Sequence, residues 1–355
     1  MNQIAKVIFG TVALSCLNIA SAATVEAAPC LIVTLTGSMG GPPTFNGLAG
    51  PGTLVQYGDT GSNCNTVKMQ FDAGRGTNMR LSQVGLPVEQ LTAIFFTHMH
   101  TDHTEGFADI LQLRWHFNST GPTIDVVCSS DVVSPLGFTM SCKKFALHIA
   151  DAFIQSGEMA QRLSEVKERL IGGPADLTNV ITFEPKNEPQ VVWSSGDVKV
   201  SAIRSTHIVG HASYRVDTPA GSVVIGGDAG NDTVAPPRAS SASDQVEKLA
   251  VGADIIVHST IHPIMGPDKD STMPPLLFYR QSTASDLGAM AKRTGAKYLV
   301  LTHLLPPIGA ERQGPWKIPG GALTEEDYRK AVQESGFTGN IVVGTDLARI
   351  RLPAK

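Results

Sequence analysis

The stretch Thr97-His98-Met99-His100-Thr101-Asp102-His103-Thr104-Glu105-Gly106 sets three histidines and an aspartate within one short turn. It follows Leu91 to Phe96, an apolar run that reads as a buried strand. It precedes Phe107, Ile110, Leu111 and Leu113 to Trp115, which are spaced for an amphipathic helix. In extended backbone, alternate side chains share a face. His98 and His100 can therefore hold one ion, while the turn at Thr101 swings Asp102 and His103 toward another. Imidazole and carboxylate are ligands that zinc accepts at ~2.0–2.2 Å. With no cysteine beside it, the cluster suits zinc, manganese or iron better than a thiolate structural site. A lone histidine in an apolar setting is usually structural, but four ligand-type side chains at one strand-to-helix turn point to a metal site.

The rest of the chain supplies a sheet-rich frame for that turn. Leu31 to Leu35, Thr53 to Tyr57 and Thr66 to Phe71 are β-rich segments separated by Gly, Pro and Asn clusters. Residues 130 to 172 are less regular, with Gly157 to Leu170 reading as a surface helix whose Met159, Leu163, Val166 and Leu170 share a face. A second β-rich half follows in Val191 to Trp193, Val198 to Ile203, Ser213 to Val216 and Val223 to Ile225. After it come a helix from Ser243 to Val251, a strand Ile255 to His258, a helix Ala284 to Thr294 and a strand Tyr298 to Leu301. Two β-then-α halves, each ending in short strands tipped with His or Asp, predict an α/β domain of two stacked sheets with helices outside.

The start of the chain reads differently. Lys6, the apolar run Val7 to Leu17 and the Ala20-Ser21-Ala22 pattern make residues 1–22 a secretory signal. The run is too short to span a bilayer, which needs ~20 apolar residues, and no later segment is a candidate. The expected location is periplasmic or secreted, with a lipid anchor through Cys16 as the alternative. The remaining 23–355 is expected to be a single domain with a partly helical insertion around 130–172. It has ample apolar material, since 42% of the chain's 355 residues are hydrophobic. The balance of 28 basic against 32 acidic residues loses Lys6 on cleavage and turns further negative than −4. Nucleic-acid grips rest on a positive excess, so that partner class is disfavoured.

Cys30, Cys64, Cys128 and Cys142 remain after cleavage, an even number in an exported chain, and four cysteines pair in three ways. Cys30 opens the first strand and Cys64 lies in the turn after the next. If those strands run antiparallel, the two cysteines lie at one end, which favours Cys30–Cys64 and Cys128–Cys142 over free buried thiols.

His98-x-His100-x-Asp102-His103 resembles the signature of the metallo-β-lactamase fold. Other segments carry the likeness along most of the chain. Phe71-Asp72-Ala73-Gly74-Arg75-Gly76 resembles the strand-end Asp motif that braces the metal loop. Ser205-Thr206-His207 with Ser213-Tyr214-Arg215 is similar to the third-histidine segment of the ribonuclease Z and arylsulfatase-like branch. Ile225-Gly226-Gly227-Asp228 resembles the bridging-Asp motif, and Leu301-Thr302-His303 the last ligand.

The resemblance implies a four-layer αββα sandwich and two divalent metal ions, zinc first and manganese or iron next. His98, His100 and His207 would hold one ion, and Asp102, His103 and His303 the other, with Asp228 between them. Asp102 would also orient the nucleophile, a water whose pKa metal coordination lowers from ~15.7 to ~7. His211, four residues beyond His207, is a rival ligand. The distance to Tyr214-Arg215 favours His207. Where relatives carry His-Glu-Ala after a strand, this chain has Val257-His258-Ser259. His258 would then protonate the leaving group, with a strand-end histidine bonded to backbone as the bland alternative. His262, His116 and His148 match nothing.

An exported hydrolase of this branch implies a phosphodiester or sulfate ester, most simply a small-molecule ester of the arylsulfatase or phosphodiesterase type. A lactone or β-lactam comes second. A di-iron redox or metal-dependent binding protein is the alternative of another class, set back by the di-iron branch's Glu being His100 here. The oligomeric state stays open.

Overall fold

The computed structural model describes residues 27–118, 120–165 and 172–353. The signal sequence and Cys16 lie outside the described residues, as do Val166 and Leu170 of the expected surface helix. Two seven-stranded sheets form the centre. Across the first run Arg349–Leu352, Pro29–Gly37, Gly52–Asp59, Val67–Phe71, Ala93–Phe95, Ile124–Ser129 and Thr178–Phe183. Across the second run Asn340–Val343, Tyr298–Leu305, Ile255–Ile261, Gly221–Ile225, Ala212–Thr218, Val198–Arg204 and Gln190–Ser195.

Alternation along the strands decides which side faces which layer. Leu31, Val33, Leu35, Val55, Met69, Phe71 and Phe95 of the first sheet meet Val200, Tyr214, Val216, Val223, Ile225 and Val257 of the second in one core. The other faces are covered by helices. Phe107–Phe117 and Cys142–Gln155 pack on the first sheet through Phe107, Ile110, Leu111 and Ala146. Asp244–Ala250, Ala284–Thr294 and Glu325–Gln333 pack on the second through Val246, Leu287, Met290, Tyr328 and Val332. The four layers are helix, sheet, sheet, helix, as expected. Most of the central strands are therefore buried on both faces and read as apolar runs; in Pro29–Gly37 only Pro29 is exposed.

Residues 130–172 hold a short hairpin, Val132–Val133 with Thr139–Met140, then the helix Cys142–Gln155 capped by the Ser141 hydroxyl, and Glu158–Glu165. Cys30 pairs with Cys64 and Cys128 with Cys142, at Cα separations of 5.3 and 6.4 Å. The first bridge forms for the reason given by strand direction, because Pro29–Gly37 and Gly52–Asp59 are antiparallel. No helix among the described residues is long and apolar enough to cross a membrane.

The chain's late residues close its first sheet. Leu31 to Thr34 pair antiparallel with Leu352 to Arg349. Next to that pairing, Asp346 accepts from the Ser38 N–H and hydroxyl at 2.9 and 2.8 Å and from the Ala49 N–H at 2.8 Å. It also pairs with Arg80 at 2.7 Å.

Parallel strands position the site. Val67–Phe71 and Ala93–Phe95 run parallel, as do Gly221–Ile225, Ile255–Ile261 and Tyr298–Leu305. Asp72, Thr97 to His103 and Asp228 follow three of these strands, and His303 lies late in a fourth, so the ligand-type side chains gather at one rim of the sandwich.

Candidate metal centre

At the rim the turn after Ala93–Phe95 is braced from below. Asp72 Oδ1 accepts the Thr97 N–H and Oδ2 the Thr97 hydroxyl, each at 2.8 Å. Oδ2 also lies 2.9 Å from His103 Nδ1. A proton on Nδ1 leaves the His103 Nε2 lone pair free to face outward, and that nitrogen is buried with no hydrogen-bond partner. His98 Nδ1 lies 3.0 Å from the Thr97 hydroxyl, which turns its Nε2 toward His100 Nδ1 at 2.9 Å. Gly74 allows the brace to press close, since a Cβ there would stand 2.4 Å from the Asp102 carbonyl oxygen. The second sheet adds its own tie, with the Tyr214 hydroxyl donating to the Phe96 carbonyl at 2.7 Å.

Three groups of ligand atoms, each gathered within 4.8 Å, result from this packing: His98, His100 and His207; His98, His103 and Asp228; Asp102, His103 and His303. Asp228 Oδ2 lies 3.4 Å from His103 Nε2, 3.6 Å from His207 Nε2 and 3.2 Å from His303 Nε2. Asp102 Oδ2 lies 3.4 Å from His303 Nε2 and 3.7 Å from His103 Nε2. Most of these separations are long for hydrogen bonds. They match the edge of a tetrahedron, about 3.4 Å, when each corner sits ~2.0–2.2 Å from a central ion. His103 Nε2 and Asp228 Oδ1 are buried with no partner, as an ion-binding donor set requires. The residues present fit divalent metal ions.

Burial opposes ionisation of Asp102, yet the His303 hydrogen bond and the nearby His103 hold its pKa at about 2. Asp228 is likewise held well below the usual carboxylate range, against its burial, by His303 and His103. His207 is pushed down to about 3 by burial, so its ring is neutral and able to coordinate. His303 also shows the cost of building the site: its φ is +45°, a left-handed conformation that non-glycine residues adopt under structural constraint.

The rival histidine is accounted for. His211 Nδ1 lies 2.7 Å from the Ser205 hydroxyl, and its Nε2 accepts the Asp228 backbone N–H at 3.2 Å. Both nitrogens are engaged behind the cluster, and His207 takes the place facing Asp228. His258 sits deeper than its expected role requires. Its Nδ1 bonds the Ser259 carbonyl at 2.7 Å, burial lowers its pKa to about 4, and the ring is fully buried. It lines a small cavity of about 20 Å³ with Asp72, Asp228 and His303, on the inner side of the cluster.

The outer side opens into a cleft of about 750 Å³ that includes His100, Asp102, His207, Asp228 and His303. Its walls come from loops around Pro42, Met273 and Trp316 that carry no motif, which is why sequence reading passed over them.

Known proteins share this architecture. A ribonuclease Z from Mycobacterium bovis (strain BCG / Pasteur 1173P2) is 25% identical over 330 residues, covering 91% of this chain and 98% of that one. The crystal structure of the metallo-β-lactamase fold protein YhfI from Bacillus subtilis aligns with a TM-score of 0.57 at 18% identity, over 91% of this chain and 99% of that one. Human tRNase Z, short form, aligns with a TM-score of 0.57 at 17% identity, over 91% and 100%. The fold and the donor set define a metallo-β-lactamase-fold hydrolase of the ribonuclease Z branch, a metal-dependent enzyme acting on ester bonds. Within that class the chain belongs to the family described as Anti-Pycsar protein Apyc1, whose model matches residues 62–260.

Proposed function

We propose that this chain is an exported phosphodiesterase of small-molecule diesters that works with two divalent ions, zinc first. The observation that carries the reading is Asp228, one carboxylate oxygen of which lies within 3.6 Å of imidazole nitrogens from both halves of the cluster. Two ions, when bound, would supply an acidified water and a clamp on the entering and leaving oxygens of an in-line displacement. His98, His100 and His207 would hold one ion and Asp102, His103 and His303 the other, with Asp228 shared. Asp102, ionised at neutral pH, would orient the attacking water from its place beside His303. His258 supports the cluster from its inner side.

A phosphodiester is the substrate that the relatives' name, ribonuclease Z, favours. Three observations favour a small diester over RNA: the net charge of −4, the disulfides, and a cleft walled by Met99, Met273, Leu277 and Trp316. A sulfate ester shares the tetrahedral geometry and is the second reading.

The test is a panel of bis(4-nitrophenyl) phosphate, 4-nitrophenyl sulfate, a lactone, nitrocefin and a tRNA precursor, assayed with zinc-loaded protein and after chelation. Turnover of the diester that chelation abolishes is expected. Turnover of only the lactone or nitrocefin would overturn the reading, and selective cleavage of the precursor would replace the small molecule with RNA.

A further inference from the structure

Arg280 lines the same cleft as His100, His207, Asp228 and His303. Its Nε is buried without a partner, and among the described residues no ion pair or hydrogen bond engages the guanidinium. Its backbone is locked to the loop that carries Asp228. A Cβ at Gly230 would stand 2.5 Å from the Arg280 carbonyl oxygen, so only glycine permits the approach. The Ser282 hydroxyl donates to the Ala229 carbonyl at 2.7 Å. On the other side Arg238 donates to the Tyr279 carbonyl at 2.6 Å. A guanidinium whose backbone is fixed beside a site for two more cations would be repelled by them once they are bound. An anion lying between them would satisfy all three.

We propose that Arg280 is the specificity-determining residue of this enzyme: its guanidinium grips a non-bridging oxygen of the phosphoryl group and selects an anionic diester over a neutral ester. The fork of N–H donors suits a phosphoryl oxygen better than a lysine would. The inference rests on the phosphodiesterase reading for its substrate, but not for its anion site.

The experiment uses zinc-loaded wild type, Arg280→Gln and Arg280→Lys. Binding of inorganic phosphate is measured by calorimetry at fixed ionic strength, alongside zinc content. Hydrolysis is followed for bis(4-nitrophenyl) phosphate and for its neutral methyl triester, which has the same leaving group. Arg280→Gln should keep its zinc, weaken phosphate binding about 10- to 100-fold and lower kcat/KM on the diester by a similar factor. The triester should change by no more than about threefold, because it offers the guanidinium no charge. Arg280→Lys should fall between, keeping charge without the fork. Unchanged phosphate affinity, lost zinc, or equal losses on diester and triester would overturn the proposal. A wild type that hydrolyses the triester and not the diester, with phosphate binding still dependent on Arg280, would sink the phosphodiesterase reading and leave the anion site standing.

Discussion

Asp228 lines both the outer cleft and the small inner cavity, His258 only the latter, and the difference decides what each substitution should do. Asp228 faces imidazoles of both halves. Asp228→Ala would take a ligand from both ions and leave two cations with less negative charge between them. Native mass spectrometry should show greater metal loss than for His98→Ala or His207→Ala. Activity should fall well beyond the ~10–100-fold typical of a residue that only supports a ligand. Two retained ions would remove Asp228 from the bridge. His258 has no exposed surface and lines the inner cavity. His258→Ala should keep its metals and slow 4-nitrophenyl and alkyl diesters by the same factor, up to the ~10²-fold that slight misplacement of reacting groups can cost. A loss of ~10²–10⁴-fold confined to the alkyl diester would show that the ring protonates the departing alkoxide after all. The cluster itself was legible in the sequence, because four ligand-type side chains at one turn are rarely anything but a site. What was not legible was depth. Val257-His258-Ser259 reads as a strand end, yet Ile255–Ile261 continues past it and carries the ring inside.

At the scale of elements, the Cys128–Cys142 bridge brackets the hairpin of Val132–Val133 and Thr139–Met140. That hairpin walls a second cleft against His100, His207 and Gly210, and Ser129 fastens its base to the Gly210 carbonyl at 2.6 Å. The bridge closes a separation of 14 residues. Replacing both cysteines by alanine should cost ~3 kcal/mol in the chain-entropy account. Urea denaturation at matched metal content checks this, and an unmoved midpoint would mean that packing alone holds the hairpin. The elements read from sequence were those with a clear period or strong punctuation: the early strands and the helices Asp244–Ala250 and Ala284–Thr294. Cys142–Gln155 escaped because its buried stripe is made of small residues, Cys142, Ala146 and Ala150, while Leu147 is exposed. Ile124–Ser129 and Thr178–Phe183 escaped because each is six residues long with an acid or amide near its start, and only pairing with a neighbour completes them.

For the whole molecule, the two disulfides and the proposed signal belong to one expectation. Protein recovered from the periplasm should begin at Ala23 and carry both bridges, so that intact mass rises by four hydrogens only on reduction. Four alkylatable thiols without reductant would defeat it. Two stacked sheets were readable in outline from the repeated β-then-α order. The strand that completes the first sheet was not, because Arg349–Leu352 is short and finds its partner across almost the entire chain.

That last pairing sets the order in which the molecule can be finished. Pro29–Gly37 is synthesised long before Arg349–Leu352, yet one of its edges is covered only by that strand, and the turns beside it are held by Asp346. While the ribosome is still working toward those residues, the first strand has half its backbone donors and acceptors open to other chains. Completion of that sheet therefore waits for residues 346–352, and contacts of such long sequence separation form slowly. A nascent chain of this design depends on being kept from its neighbours until Arg349–Leu352 arrives.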